Sequence, residues 1–181
     1  MTDHEKRFHG DIGRLRSPER IRLLEVDRVA ALTTEGLTAS RLLDIGTGTG
    51  VFAQAFAAMG LSVTGIDANP EHLALARELV PGVQFDESTA EVLPYADRAF
   101  DIAFMGLVLH ETDDPSRALM EARRVAAVRV AVLEWPYVQE EYGAPLAHRL
   151  EPEKIAALAA RAGFERVERL ELTHLVLYRM S

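Results

Sequence analysis

"RLLDIGTGTGVFA", Arg41 to Ala53, is the stretch whose reading decides the fold. A short apolar run ends at Asp44 and Ile45, glycines follow at 46, 48 and 50, and an apolar stretch opens at Val51. This reads as strand, tight turn and helix. Glycine lets a backbone turn sharply and approach a ligand without a Cβ in the way. The first amides of the following helix lack intrahelical acceptors and favour something anionic or polar. A Walker loop needs Lys and Ser or Thr after the last glycine, where Val51 and Phe52 stand, so NTPase chemistry is excluded. A dinucleotide fingerprint needs glycine at 51; the spacing here is GxGxG, which disfavours a dinucleotide oxidoreductase. Asp44 narrows the choice further, because a carboxylate near a buried strand end is costly unless it meets a partner.

From this stretch to the end of the chain, short β-branched or leucine-rich runs alternate with alanine-rich periodic ones. Strands are predicted over 41–45, 61–66, 83–85, 100–105, 128–134, 166–172 and 175–179. Helices fall between most of them: Val51 to Met59, stopped at Gly60; two that begin at Asn69-Pro70 and Asp114-Pro115, a cap followed by proline; and one from Pro152 to a stop at Gly163. Upstream, Ser17 and Pro18 open one helix running to about Thr33. Strand, helix, strand with short connections implies right-handed crossovers and a parallel sheet covered on both faces. Only Thr173 and His174 separate the last two strands, too few for a crossover, so these pair as an antiparallel hairpin.

The 181 residues fit one domain, 1–181, with 1–40 as an arm and helix acting as a lid and 41–181 as the core. Hydrophobic residues at 48% and charged residues at 27% are globular values and exclude disordered or fibrous classes. With 28 acidic against 20 basic residues the formal charge is -8, which argues against nucleic acid as the principal ligand. Cysteine is absent, excluding disulfides, thiolate nucleophiles and Cys-based metal sites. No signal-like or membrane-spanning run is present, so a cytoplasmic protein without a membrane partner is expected, monomer or homodimer.

In a doubly wound sheet the ligand crevice lies beyond the carboxyl ends of the strands where their order reverses. The glycine turn sits there. The second strand ends "VTGIDANP", which places Asp67 at its tip, where an acidic side chain accepts hydrogen bonds from a ribose diol. Its competing role as a helix cap is better filled by Asn69.

Four stretches in order, "LLDIGTGTG", "VTGIDANPEHLALA", "AEVLPYADRAFDIAF" and "HETDDPSRALMEARRV", resemble the successive motifs of class I S-adenosylmethionine-dependent methyltransferases of the small UbiE-like type. The likeness runs from about Arg41 to the end, where "EPEKIAALAARAGFERVE" is similar to that family's penultimate helix and strand. It implies an α/β, Rossmann-like, doubly wound seven-stranded sheet with strand order 3-2-1-4-5-7-6 and S-adenosyl-L-methionine as cofactor. It implies that Gly46, Thr47, Gly48 and Gly50 pass beneath the cofactor, with Asp44 near its amino group. Asp67 would hold the ribose, Ala68 would flank the adenine, Ala90 and Glu91 would meet the adenine, and Met105 and Gly106 are further expected cofactor-binding residues. The family's usual Asp before Ala-Glu is Thr89 here, one departure from its pattern.

Methyl transfer from a sulfonium needs alignment and desolvation more than covalent catalysis or a metal. A base is needed only if the acceptor loses a proton. His110, after the fourth strand, is the candidate, with the alternative that it is a packed or cofactor-adjacent residue. Its acidic neighbours Glu111, Asp113 and Asp114 are too close in sequence to converge on a metal. "LEWPYVQEEYGAPLAHR" supplies Glu134, Trp135 and Tyr137 as candidate acceptor contacts, with Tyr142 and His148 beyond them. The arm, with Phe8, His9, Arg14 and Arg16, is the candidate lid. The expected activity is methyl transfer to a small molecule; the competing reading is a protein that binds S-adenosylmethionine or S-adenosylhomocysteine without transferring a methyl.

Overall fold

The computed structural model describes residues 15–181, and Phe8, His9 and Arg14 of the arm lie outside them. Among the described residues seven strands, β1 (Arg41–Ile45), β2 (Ser62–Asp67), β3 (Gln84–Glu87), β4 (Phe100–Gly106), β5 (Ala126–Glu134), β6 (Val167–Glu171) and β7 (Val176–Met180), make one sheet in the order β3-β2-β1-β4-β5-β7-β6. Pairing is parallel from β3 through β5, and β7 runs antiparallel to both β5 and β6. The expected strand order and terminal hairpin are therefore present.

Six α-helices among the same residues accompany the sheet: α1 (Pro18–Leu23), α2 (Val26–Thr34), α3 (Val51–Ala58), α4 (Pro70–Leu79), α5 (Pro115–Val125) and α6 (Pro152–Ala162). Strand residues alternate between two apolar layers because successive side chains point to opposite faces. Leu43, Ile45, Ala103, Met105, Val130 and Val132 pack with α5 and α6. Leu42, Ile102, Phe104, Ala131 and Leu133 pack with α2, α3 and α4. The helices start where the sequence says they should. The Asn69 side chain accepts from the Glu71 N–H at 2.9 Å, and Asp114 accepts from the Arg117 N–H at 3.0 Å, each with proline next. Gly163, at φ +84, ends α6.

One expectation fails. The single helix over 17–33 is two helices, broken at Leu24 and Glu25, where Glu25 adopts the left-handed conformation with φ 46. A non-glycine residue there is strained. Its carboxylate accepts from the Thr173 N–H at 2.6 Å, at the tip of the terminal hairpin, which anchors the break. The turn lets α1 lie across the carboxyl ends of the strands instead of continuing along α2. A smaller difference is that β5 begins at Ala126, directly after α5, two residues before the predicted 128.

Because α3 and α5 leave their strands toward opposite faces, the carboxyl ends of β1 and β4 bound an open crevice. Phe104, fully buried next to it, stacks against Phe52 and Phe56 with ring centroids 4.8 and 5.1 Å away. Phe104→Ala is expected to cost about 3–5 kcal/mol of stability, read by urea unfolding. A loss under about 1 kcal/mol would mean that this layer does not hold the sheet.

Candidate active site

The turn after β1 forms the floor of the crevice. Gly46 has φ +71, and a Cβ there would stand 2.5 Å from Val108 Cγ2. Gly48, at φ +53, would meet no atom within 4 Å and faces open space. Gly50, at φ +79, sits at the N-terminus of α3. The Thr47 N–H donates to the Ile66 carbonyl at 2.8 Å, tying the turn to β2. Asp67, at the tip of β2, accepts from the Gly48 N–H through one oxygen and from the Asn69 N–H through the other, both at 2.8 Å. The Thr49 hydroxyl is buried in this floor with no hydrogen-bond partner among the described residues, a pairing that a polar ligand could complete.

Asp44 is buried beneath the turn and accepts from the Thr47 hydroxyl at 2.7 Å. Burial raises its pKa to about 7, with the Asp67 charge pushing the same way and the Thr47 hydrogen bond only partly offsetting both. His72, which sequence reasoning missed, lies with Nδ1 3.4 Å from Asp67. That carboxylate raises its pKa against the opposing pull of burial. A histidine one turn into a helix carries no local signal of such a role.

Above the floor is a cavity of about 1100 Å³. Asp44, Gly46, Thr47, Gly48, Asp67, Ala68, Ala90, Glu91, Gly106, His110 and Trp135 all line it. Of the other residues singled out from sequence, Gly50 and Met105 lie outside its lining, Met105 fully buried in the sheet. Glu91 spends its carboxylate on the Asp113 N–H at 2.9 Å, securing the loop that leads into α5. Tyr137 is 41% exposed and outside the cavity, while Tyr142 and His148 line it. From the N-terminal side come Leu15, Arg20 and Leu23. Arg16 crosses the glycine turn, donating to the Thr49 carbonyl at 2.6 Å and contacting the Gln54 side chain.

His110 stands in a short 3-10 turn, Leu109–Glu111, just past β4. Its ring is buried and its Nδ1 lies 2.7 Å from Glu134, itself buried at the end of β5. The other Glu134 oxygen accepts from the His110 backbone N–H at 3.1 Å. Burial lowers the His110 pKa, but the charge and hydrogen bond of Glu134, helped by Glu111 and opposed by Arg149, leave it raised. Glu134, an expected acceptor contact, is thus found behind the histidine, outside the cavity lining.

The roof is the loop after β5, organised by Arg149. Its buried guanidinium donates to the carbonyls of Pro136, Val138, Tyr142 and Ala144 and to the Glu140 carboxylate, at 2.7–3.0 Å. It also lies 5.5 Å from the Trp135 ring, within cation–π range. Gly143, at φ +83, packs where a Cβ would be 2.7 Å from the same indole. The Tyr142 hydroxyl reaches His174 Nδ1 at 2.5 Å. Nothing local in "GAPLAHRL" marks Arg149 as the hub of this loop.

The raised Asp44 pKa has a sign. Its folded value, about 7, exceeds the usual 3.8, so its contribution is fully present below about pH 4 and is lost as pH rises toward 7. Asp44→Asn is expected to gain on the parent by about 1.4 kcal/mol for each pH unit across that window, measured by denaturant unfolding of the free protein. A pH-independent difference between the two would remove the assignment.

Among known proteins, the family match falls on the half of the chain that builds this floor. A family model described as a methyltransferase domain matches residues 43–129. A demethylmenaquinone methyltransferase of Chlorobaculum parvum is 38% identical over 92 residues, 50% of this chain and 38% of that protein. A malonyl-(acyl-carrier protein) O-methyltransferase of Pectobacterium atrosepticum is 38% identical over 85 residues, 47% of this chain and 34% of that one. The chain thus spans little more than a third of either relative. A solved SAM-dependent methyltransferase from Aquifex aeolicus superposes with a TM-score of 0.83 at 25% identity, covering 93% of this chain and 95% of that one.

Proposed function

We propose that the chain is a class I S-adenosylmethionine-dependent methyltransferase that uses S-adenosyl-L-methionine as cofactor and transfers its methyl group to a small-molecule acceptor by in-line displacement, a reading supported by the methyltransferase-domain match over residues 43–129 and by the likeness to the Aquifex aeolicus structure. The observation that carries the reading is the crevice itself: a glycine floor with an unpaired Thr49 hydroxyl, flanked by Asp44 and Asp67 and open into one large cavity. These groups fit the cofactor. Asp67 has one oxygen on the Gly48 amide and one on the Asn69 amide, and each keeps a lone pair for a ribose hydroxyl. Asp44 stands below for the cofactor amino group, and an ammonium there would favour its ionised form. Gly46, Thr47, Gly48 and Gly106 form the floor and near wall, and Ala68, Ala90 and Glu91 border the adenine end.

When bound, the cofactor supplies a methyl already activated on a positive sulfonium. The chain's own task is to hold the acceptor in line with it, exclude water and, for an acceptor bearing O–H or N–H, take up the proton. His110 serves as that base, and Trp135, Tyr142 and His148 shape the acceptor space between it and α1. α1, whose Glu19, Arg20 and Leu23 line the cavity, serves as a lid over this space. The two relatives named above carry different acceptors in their names, and the family model matches 43–129, a stretch that leaves out both the roof loop and α1, which supports assigning acceptor choice to those two segments. A cytoplasmic, monomeric or homodimeric protein without nucleic-acid or membrane partner remains part of this reading.

Calorimetry with S-adenosylhomocysteine tests the cofactor site. Asp67→Ala, which removes two charge-assisted bonds, is expected to weaken binding about 10- to 100-fold or more. Unchanged affinity, or no binding by the parent, would exclude the reading. In a screen of phenols, amines and carboxylic acids followed by S-adenosylhomocysteine release, His110→Ala is expected to lower kcat/KM about 10²- to 10⁴-fold on the acceptor found. Full activity of that variant would leave positioning alone as the mechanism.

A further inference from the structure

We propose that Glu134 is the positioning residue of this site, holding His110 by ring and backbone together so that a single ring nitrogen, Nε2, is presented to the cavity. The inference rests on His110 being the base. Three observations support it. Glu134 sits at the carboxyl end of β5, 1% exposed, so its carboxylate is fixed by the sheet and shielded from water. Its two oxygens are spent on one residue, one on the His110 N–H at 3.1 Å and the other on Nδ1 at 2.7 Å. His110 nevertheless lines the cavity, so the ring edge left to it carries Nε2.

Chemistry then fixes the tautomer. A carboxylate only accepts, so Nδ1 keeps its hydrogen and the neutral ring has its lone pair at Nε2. The backbone bond adds what a lone ring contact would not: it clamps the 3-10 turn, so the backbone from which the ring projects is fixed by the same carboxylate that holds Nδ1. In the step this serves, the acceptor's proton passes to Nε2 as its freed electron pair takes the methyl carbon and the carbon–sulfur pair stays on sulfur. The positive charge that leaves the sulfonium thus reappears on the imidazolium, against the carboxylate already in place. A hydrogen bond from a carboxylate behind the ring is the usual device for orienting and strengthening an imidazole.

The charged and titratable groups facing the ring are Glu134 from β5, Glu111 from the same turn, with an oxygen 3.7 Å from Nε2, and Arg149 below the roof loop. Of these only Glu134 touches Nδ1, so its removal has a signature of its own.

The test is ¹⁵N NMR titration of the histidine ring nitrogens in the full chain without any ligand, with the His110 signals assigned by their loss in His110→Asn. The parent is expected to show neutral His110 protonated at Nδ1 and bare at Nε2. Glu134→Gln is expected to lower the proton affinity of the ring about tenfold or more. Glu134→Asp keeps the charge at a longer reach, should give a smaller fall in the same direction, and serves if the glutamine variant does not fold. An Nε2-protonated ring in the parent, or a parent-like titration in both variants, overturns the proposal. The failures are separable: full activity of His110→Ala sinks the base on which the proposal rests, whereas a parent that binds no S-adenosylhomocysteine sinks the methyltransferase reading and leaves the NMR result standing.

Discussion

At position 46 there is room for a hydrogen atom and nothing larger. The backbone of the turn after β1 presses there on the side chain of Val108, in the turn after β4, so the two turns form one packed unit. Much of the site follows from that contact. It sets the start of the 3-10 turn that carries His110 two residues later. Leu107, just before, is held at φ +59, and its N–H donates to the Leu133 carbonyl at 2.9 Å. Such a left-handed conformation costs roughly 1–2 kcal/mol outside glycine. The glycine turn and the turn that carries His110 are therefore built against each other.

Electrostatics gives the crevice its character. Asp44, Asp67 and Glu111 face one cavity, with Glu134 directly behind it; Asp44 accepts from a hydroxyl and Asp67 and Glu134 from backbone N–H groups. Such a site is poorly suited to a phosphate and well suited to a ligand carrying an ammonium and a sulfonium. Asp44 holds its proton into the neutral range because water is excluded and Asp67 is near. A cation arriving beside it would draw that proton off, so ligand uptake and proton release are coupled at one carboxyl group.

What could be read in the sequence was whatever is encoded within one turn or one strand. Asn69-Pro70, Asp114-Pro115 and Gly163 fix helix ends by local hydrogen bonding and φ, and all three act as read. The order Asp44, glycines, Asp67 was legible for the same reason, since each stands at a strand end whose position follows from the alternation. What escaped depends on partners far along the chain. The break at Glu25 is anchored by Thr173, 148 residues away, and nothing near Glu25 signals it. The pairing of His110 with Glu134 needs β4 and β5 side by side, so Glu134 looked like an acceptor contact when read with its neighbours Trp135 and Tyr137. Arg149 has no local signature, because its partners are mostly carbonyls, which every residue possesses.

That last property has an evolutionary consequence. Four of the five acceptors gathered by Arg149 are main-chain oxygens, and no substitution in the loop can delete a main-chain oxygen. Gly143 apart, side chains along 137–144 can be exchanged, and the lining of the cavity with them, while the loop keeps its path. A descendant can reline the cavity without having to reinvent the roof.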